Sequence, residues 1–232
     1  DYLDPLDSSL LYQEQGEFLR NIHLNRNGIS DSQLKGVDIA LVGVPFYFEQ
    51  QLKQSQAANW IRKELYQLAF DPRHTPVVMD LGNIKQAENI RETLYGLSDV
   101  LTHLMKAGIF VVIAGGDSLL NLSVLRSLPQ VTSNDLYYGL VEPYLSLGEY
   151  SGLDMISDER IHLYQLGSQA HYYTQEQKVW TKSFVDETYR LGKLRDHLAG
   201  AEPYLRGADG LALSVNAIKH GDAPGQKTAF PN

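Results

Sequence analysis

The 232-residue sequence contains no cysteine and carries 28 acidic against 20 basic side chains, a net charge of −8 with histidine neutral. These numbers exclude a disulfide framework, a thiolate metal site and a cysteine nucleophile, and they leave no basic footprint for nucleic acid. A composition of 43% hydrophobic and 21% charged residues excludes wholesale disorder, and no apolar run approaches the ~20 residues that a membrane-spanning helix needs.

No basic stretch precedes an apolar one near the start, so no signal peptide is expected and the reading is of a cytoplasmic globular protein. The chain opens on Asp1 rather than Met, which reads as a missing native start. Residues 1–35 are polar with one short helical period (Leu10, Leu11, Phe18, Leu19, Ile22), the pattern of an N-terminal arm. Residues 37–44 then form a nearly continuous apolar run ending in Gly43, Val44 and Pro45, as a strand buried on both faces does. Ile61, Leu65 and Leu68, with Trp60 beside them, give a helix with an apolar face. A second strand is expected over 76–80. Ile90, Leu94, Leu97, Leu101 and Leu104 step by four and three, so all five share one helix face, and Gly108 follows as a C-terminal stop.

Another apolar strand covers 109–115. Asp117 or Ser118 caps a helix carrying Leu122, Leu125 and Leu128 before Pro129. Strands follow at 136–142, 161–167 and 210–216. Between the last two, Phe184, Leu191, Leu194 and Leu198 mark a helix closed by Gly200. On its surface Asp186, Glu187, Arg190, Lys193 and Arg195 read as solvated charge. Alternating strands and helices predict a three-layer αβα domain over 36–232 with a mainly parallel sheet.

Ligands in such sheets bind at the carboxyl ends of the strands. Gly115-Gly116-Asp117-Ser118-Leu119 contains the Gly-Asp-Ser-Leu letters of a lipase and esterase family, whose serine works with a later Asp-x-x-His. Here Asp71-Pro72-Arg73-His74 precedes the serine, and a Gly–Gly turn with a helix cap is the better reading. Patterns for nucleotide binding are absent. The seven histidines show no ligand spacing, and His220-Gly221-Asp222 in a Gly-rich loop reads as solvated. His103, beside its helix's apolar face, reads as a partly buried packing residue. Tyr137, Tyr138, Tyr144, Tyr150, Tyr164, Tyr172 and Tyr173 suit core or rim packing.

Taken in order, several segments resemble the ureohydrolase family of arginases, agmatinases and formimidoylglutamases. Residues 37–45 look like its first strand and Gly-x-Pro turn. Residues 57–62 fit its next helix with an Ile-Arg step, and Asp80-Leu81-Gly82-Asn83-Ile84 is similar to its Asp-Leu-Gly-Asp-Ile. Gly115-Gly116-Asp117 matches the start of Gly-Gly-Asp-His-Ser. Ala217-Ile218 and Ala223-Pro224-Gly225 fit the frame of its late Asp-x-Asp-Ala-Ile block. The wording around 163–173 leans toward the formimidoylglutamase branch.

The resemblance implies an arginase-like fold and hydrolysis of guanidino or formimino groups by two Mn²⁺ ions sharing a hydroxide. It also implies six ligand positions, and this sequence departs from the family at each. Ser118 stands for the histidine of Gly-Gly-Asp-His. Glu142, Tyr144 and Ser146 stand for Asp-x-His-x-Asp, and Ser214 and Asn216 for Asp-x-Asp. Only Glu142 is a carboxylate. Loss of even one outer-shell partner typically costs ~10–100-fold in metal affinity, so the expectation is no metal and no cofactor.

The favoured expectation is a non-catalytic scaffold or regulatory subunit that binds another protein or its own copies. The alternatives are hydrolysis with Glu142 as general base and a sensor whose emptied pocket takes a small-molecule ligand. No nucleic acid or membrane partner is expected. Because the fold usually runs to ~300 residues, the sequence reads as C-terminally truncated, with an apolar strand edge left open.

Overall fold

The structure is a computed structural model that describes residues 2–7, 16–48, 50–71, 73, 76–144 and 158–223. The chain divides into two compact units, 1–123 and 124–232, and the boundary falls inside one helix.

The first unit contains β1 (Leu3–Asp4), α1 (Glu17–Asn21), β2 (His23–Leu24), β3 (Ile39–Val44), β4 (Phe46–Tyr47), β5 (Lys53–Gln54), α2 (Ala57–Leu65), β6 (Val78–Ile84), α3 (Ile90–Lys106) and β7 (Phe110–Gly115). Its main sheet runs β1-β6-β3-β7. β3 is parallel to both β6 and β7, which explains why it reads as unbroken apolar sequence: Ala40, Val42 and Val44 are wholly buried. β1 (antiparallel) and β2 (parallel) share the outer edge of β6. The described part of the segment read as an arm is therefore tied to the sheet. Leu19 and Ile22 pack with Tyr66 and Val78, and Phe18 meets Phe70 edge-on at 5.4 Å. Leu10 and Leu11 lie outside the described residues.

α3 matches its pattern. Asn89 caps it by accepting the Glu92 amide at 2.9 Å, Leu94, Leu97, Leu101 and Leu104 are buried, and Gly108 takes φ +77° just past its end. Two expectations on these helices fail. The buried side of α2 is Ala58 and Arg62, with Tyr66 just beyond, while Ile61 and Leu68 are exposed, because an ion pair rather than an apolar stripe draws the helix inward. His103 is exposed and meets Asp31 at 3.0 Å instead of packing.

α4 (Leu120–Ser127) spans the boundary, with Asp117 Oδ1 accepting the Leu119 amide at 3.1 Å. The second unit then holds β8 (Leu136–Val141), β9 (Ile161–Ser168), α5 (Gln175–Phe184), β10 (Glu187–Arg190), α6 (Leu191–Asp196), α7 (Glu202–Arg206) and β11 (Gly210–Leu213). Its sheet runs β10-β9-β8-β11, parallel throughout. One face buries Leu136, Tyr138, Leu140 and Leu163. On the other, Tyr137 stacks on His162 and Tyr164, and Tyr204 of α7 packs edge-on against Tyr164. Of the remaining tyrosines, Tyr150 lies outside the described residues.

The single helix expected through Phe184 and Leu198 does not exist. Phe184 ends α5, whose start carries a reciprocal Thr174–Gln177 capping box. Glu187 and Arg190 belong to strand β10 rather than to a helix surface, and a new helix begins only at Leu191. Likewise β11 stops at Leu213, and a 3-10 turn, Val215–Ala217, replaces the rest of the expected strand. β7 and β11 are end strands of their units' sheets, and one face of each is apolar and exposed: Phe110 and Val112 of β7 are 66% and 41% exposed, and Leu211 and Leu213 of β11 are 53% and 64% exposed.

Candidate functional site

In the first unit, the carboxyl ends of β3 and β6 converge on Arg62. Its guanidinium grips both oxygens of Asp80 (Nε–Oδ2 2.8 Å, Nη2–Oδ1 2.9 Å), donates to the Gly82 carbonyl at 2.7 Å and to Asn83 Oδ1 at 2.6 Å. Tyr66 donates to Asp80 Oδ2 at 2.8 Å, and the Gly82 amide donates to Asp80 Oδ1 at 2.9 Å. Burial, and then the Asp80 charge, push the Tyr66 phenol well above its ordinary range. This network leaves no room above β3: a Cβ on Gly43 would sit 2.0 Å from Asn83 Oδ1. At the end of β7, Gly115 and Gly116 both take positive φ (91° and 77°), the turn that delivers Asp117 and Ser118 to α4.

In the second unit, Glu142 follows β8 and is 4% exposed. Its amide donates to the Leu166 carbonyl at 3.1 Å, and its own carbonyl accepts from Gln165 Nε2 at 3.2 Å. Gln165 is wholly buried, and its other side-chain atom accepts from the Tyr173 hydroxyl at 2.6 Å. The Gln169 amide donates to the Pro143 carbonyl at 2.8 Å, and the rings of Tyr144 and Tyr172 lie 6.5 Å apart. Ser214, next after β11, donates its amide to the Val141 carbonyl at 3.0 Å. Its hydroxyl accepts the Asn216 amide at 3.2 Å. The Tyr138 phenol is pushed up by burial first and by the Glu142 charge second.

A family model for the Arginase family matches residues 37–137. The structure is similar to formimidoylglutamase from Bacillus subtilis (TM-score 0.74, 16% identity, 94% of this chain and 76% of that one). It is also similar to Trypanosoma cruzi formiminoglutamase with Mn2+2 (0.69, 15%, 84% and 75%), and to a hypothetical agmatinase from Burkholderia thailandensis (0.66, 17%, 90% and 72%). No curated protein sequence matches the chain significantly. The chain has the arginase fold, and its residues 37–137 match the Arginase family.

On that arginase fold, the positions singled out in the sequence divide between the two units. Ser118 sits in the first, half-buried in the turn before α4, its carbonyl accepting the Asn121 amide at 3.2 Å. Glu142, Tyr144, Ser214 and Asn216 sit in the second, and the Ser214–Val141 bond brings the ends of β11 and β8 side by side. Ser146 lies outside the described residues. Among the described residues no group of three or more His, Cys, Asp or Glu side chains could hold a metal ion. His220 and Asp222 are exposed, and Pro72 and His74 lie outside the described residues. No described helix is long and apolar enough to cross a membrane.

Sequence reasoning missed Gln165, and it read Tyr173 as packing rather than as the donor to Gln165. Their bonds tie the end of β9 to Glu142. The one available signal was a glutamine between two apolar neighbours, Tyr164 and Leu166, in an expected strand.

Proposed function

We propose that this chain is a non-catalytic arginase-fold protein, a scaffold or regulatory subunit that binds another protein or its own copies in the cytoplasm. The observation that carries this reading is the donor chemistry at the strand ends. Glu142 is the one carboxylate among the six positions, and its companions Ser118, Tyr144, Ser146, Ser214 and Asn216 are hydroxyls and an amide. Two dications taken out of water need anionic and imidazole donors to compensate lost hydration, and this set does not fit them. The Ser214 hydroxyl already accepts the Asn216 amide, which supports a strand end closed by neutral hydrogen bonds.

The test is elemental analysis of the protein after equilibration with excess Mn²⁺ and desalting. No stoichiometric metal is expected. One or two retained ions per chain overturn the reading. A parallel assay of arginine, agmatine and formiminoglutamate is expected to show no turnover. Turnover abolished by Glu142→Gln would establish a hydrolase with Glu142 as general base instead.

A further inference from the structure

We propose that Asn27 is a site of spontaneous backbone-assisted deamidation, and that Asn25 restrains the reaction by holding the attacking nitrogen. Asn27 is followed by Gly28, the sole Asn-Gly pair in the sequence, and both are exposed. Gly28 has φ +99°, and a Cβ built there would meet nothing within 4 Å, so neither a side chain of its own nor a neighbour around its Cα crowds the backbone on which the reaction takes place. Asparagine is a thermolabile side chain, most so where the next residue is this uncrowded.

The chemistry balances without any co-reactant but water. The Gly28 amide loses its proton and its nitrogen attacks Cγ of Asn27. A C–N bond forms, the bond to the side-chain nitrogen breaks, and ammonia leaves with that proton. Water then opens the resulting five-membered imide at either carbonyl, giving aspartate or isoaspartate. The new carboxylic acid then gives its proton to the ammonia, so the net change is one water consumed, one ammonium ion released and one negative charge gained by the chain.

In the folded protein that nitrogen is occupied. The Gly28 N–H donates to Asn25 Oδ1 at 2.8 Å, so it must leave this bond before it can attack. Asn25 is itself held firmly: it is 2% exposed, and its Nδ2 donates to the Leu81 carbonyl at 2.8 Å. Its amide donates to the Asp80 carbonyl at 2.9 Å, and its carbonyl accepts the Leu6 amide at 3.1 Å. The restraint on Gly28 is therefore anchored in β6.

Peptide mass mapping with isoaspartate detection, over weeks at neutral pH, tests this. Native protein is expected to deamidate at Asn27 more slowly than the same chain in urea, and faster than at any other asparagine. Asn25→Ser, too short to reach Gly28, should speed the folded protein's reaction by about two- to tenfold, the range one ordinary hydrogen bond supports. Hydrogen exchange should show the Gly28 amide protected in the wild type and released in that variant. Equal rates in native and urea-unfolded wild type overturn the proposal even if the variant does not fold. So does an unprotected Gly28 amide, or an Asn27 that survives unmodified in urea.

Discussion

Arg62 and Asp80 form a two-pronged ion pair, with both side chains wholly out of solvent. Every prong has geometry and company: Tyr66 and the Gly82 amide satisfy the remaining carboxylate positions, and Asn83 and the Gly82 carbonyl take the rest of the guanidinium. Such a pair is strongly coupled, because removing one partner strands a buried charge. Asp80→Asn or Arg62→Met should each cost about 3–5 kcal/mol, read by urea denaturation. The double variant should cost less than the sum of the singles, and strict additivity would show that the pair is not coupled.

Two hydroxyls on α3 point the other way. Ser98 Oγ and Thr102 Oγ1 are buried and lack a hydrogen-bond partner among the described residues. A desolvated, unsatisfied hydroxyl penalises the folded state by about 1–3 kcal/mol. Ser98→Ala and Thr102→Val should therefore leave stability unchanged or raise it by up to about 1 kcal/mol, less than the full penalty because packing also changes. A large loss in either thermal melt would mean these hydroxyls are satisfied, for example by an internal water.

The exposed side of α2 supplies a contrasting case. Trp60 is 63% exposed and Ile61 47%, despite their place in an apolar helical pattern. Trp60→Ala and Ile61→Ala should shift stability by no more than about 0.5 kcal/mol. Ala58→Leu, on the wholly buried side, should destabilise by about 1–3 kcal/mol through overpacking. A reversed ranking in chemical denaturation would put the wrong face of the helix inward.

Tyr204 gives a pH signature. Its hydroxyl donates to Glu187 at 2.6 Å, and that bond, ahead of burial and the Glu187 charge, pushes the phenol up to about 12. The folded value lies above the ordinary 10.0. The contact's contribution is therefore complete below that pH and is lost as pH rises toward 12. Tyr66 and Tyr138 also titrate late because they are buried, so ultraviolet titration of tyrosinate is read by difference: Tyr204→Phe should remove one late-titrating tyrosine from the wild-type curve, and Glu187→Gln should move one late step down. No change in Glu187→Gln would remove the hydrogen bond as the cause.

Much of this architecture is legible in sequence for a definite reason. A strand covered on both faces must be apolar along its whole length, so β3 announces itself, and β7 and β8 are legible from their apolar runs although β7 leaves Phe110 and Val112 exposed. α3 is legible because its buried face is aliphatic. α2 is legible as a helix but not in its buried face, because the residue that anchors it is an arginine, which ordinary patterning assigns to solvent. The run from Phe184 to Leu198 mimics helical spacing across a short strand, β10, whose exposed Glu187, Thr188 and Arg190 carry no strand-like alternation. Glu142 and Ser214 were singled out by the resemblance to a family motif, and Glu142 also by its place just after an expected strand. Gln165 was missed because its importance lies in two hydrogen bonds, to residues 23 positions before it and 8 after it, and no local pattern encodes such pairings.

The exposed apolar faces of β7 and β11 bear on how this polypeptide behaves in a test tube. The end strands β7 and β11 each leave an apolar face in solvent, through Phe110 and Val112 or Leu211 and Leu213, and neither strand carries the charge or proline that keeps natural sheet edges from templating one another. The chain's net charge of −8 supplies long-range repulsion, but salt screens it within a Debye length of about 10 Å at 0.1 M. Colloidal behaviour should therefore be governed by ionic strength: dispersed in dilute buffer, and increasingly prone to edge-to-edge association as salt is added.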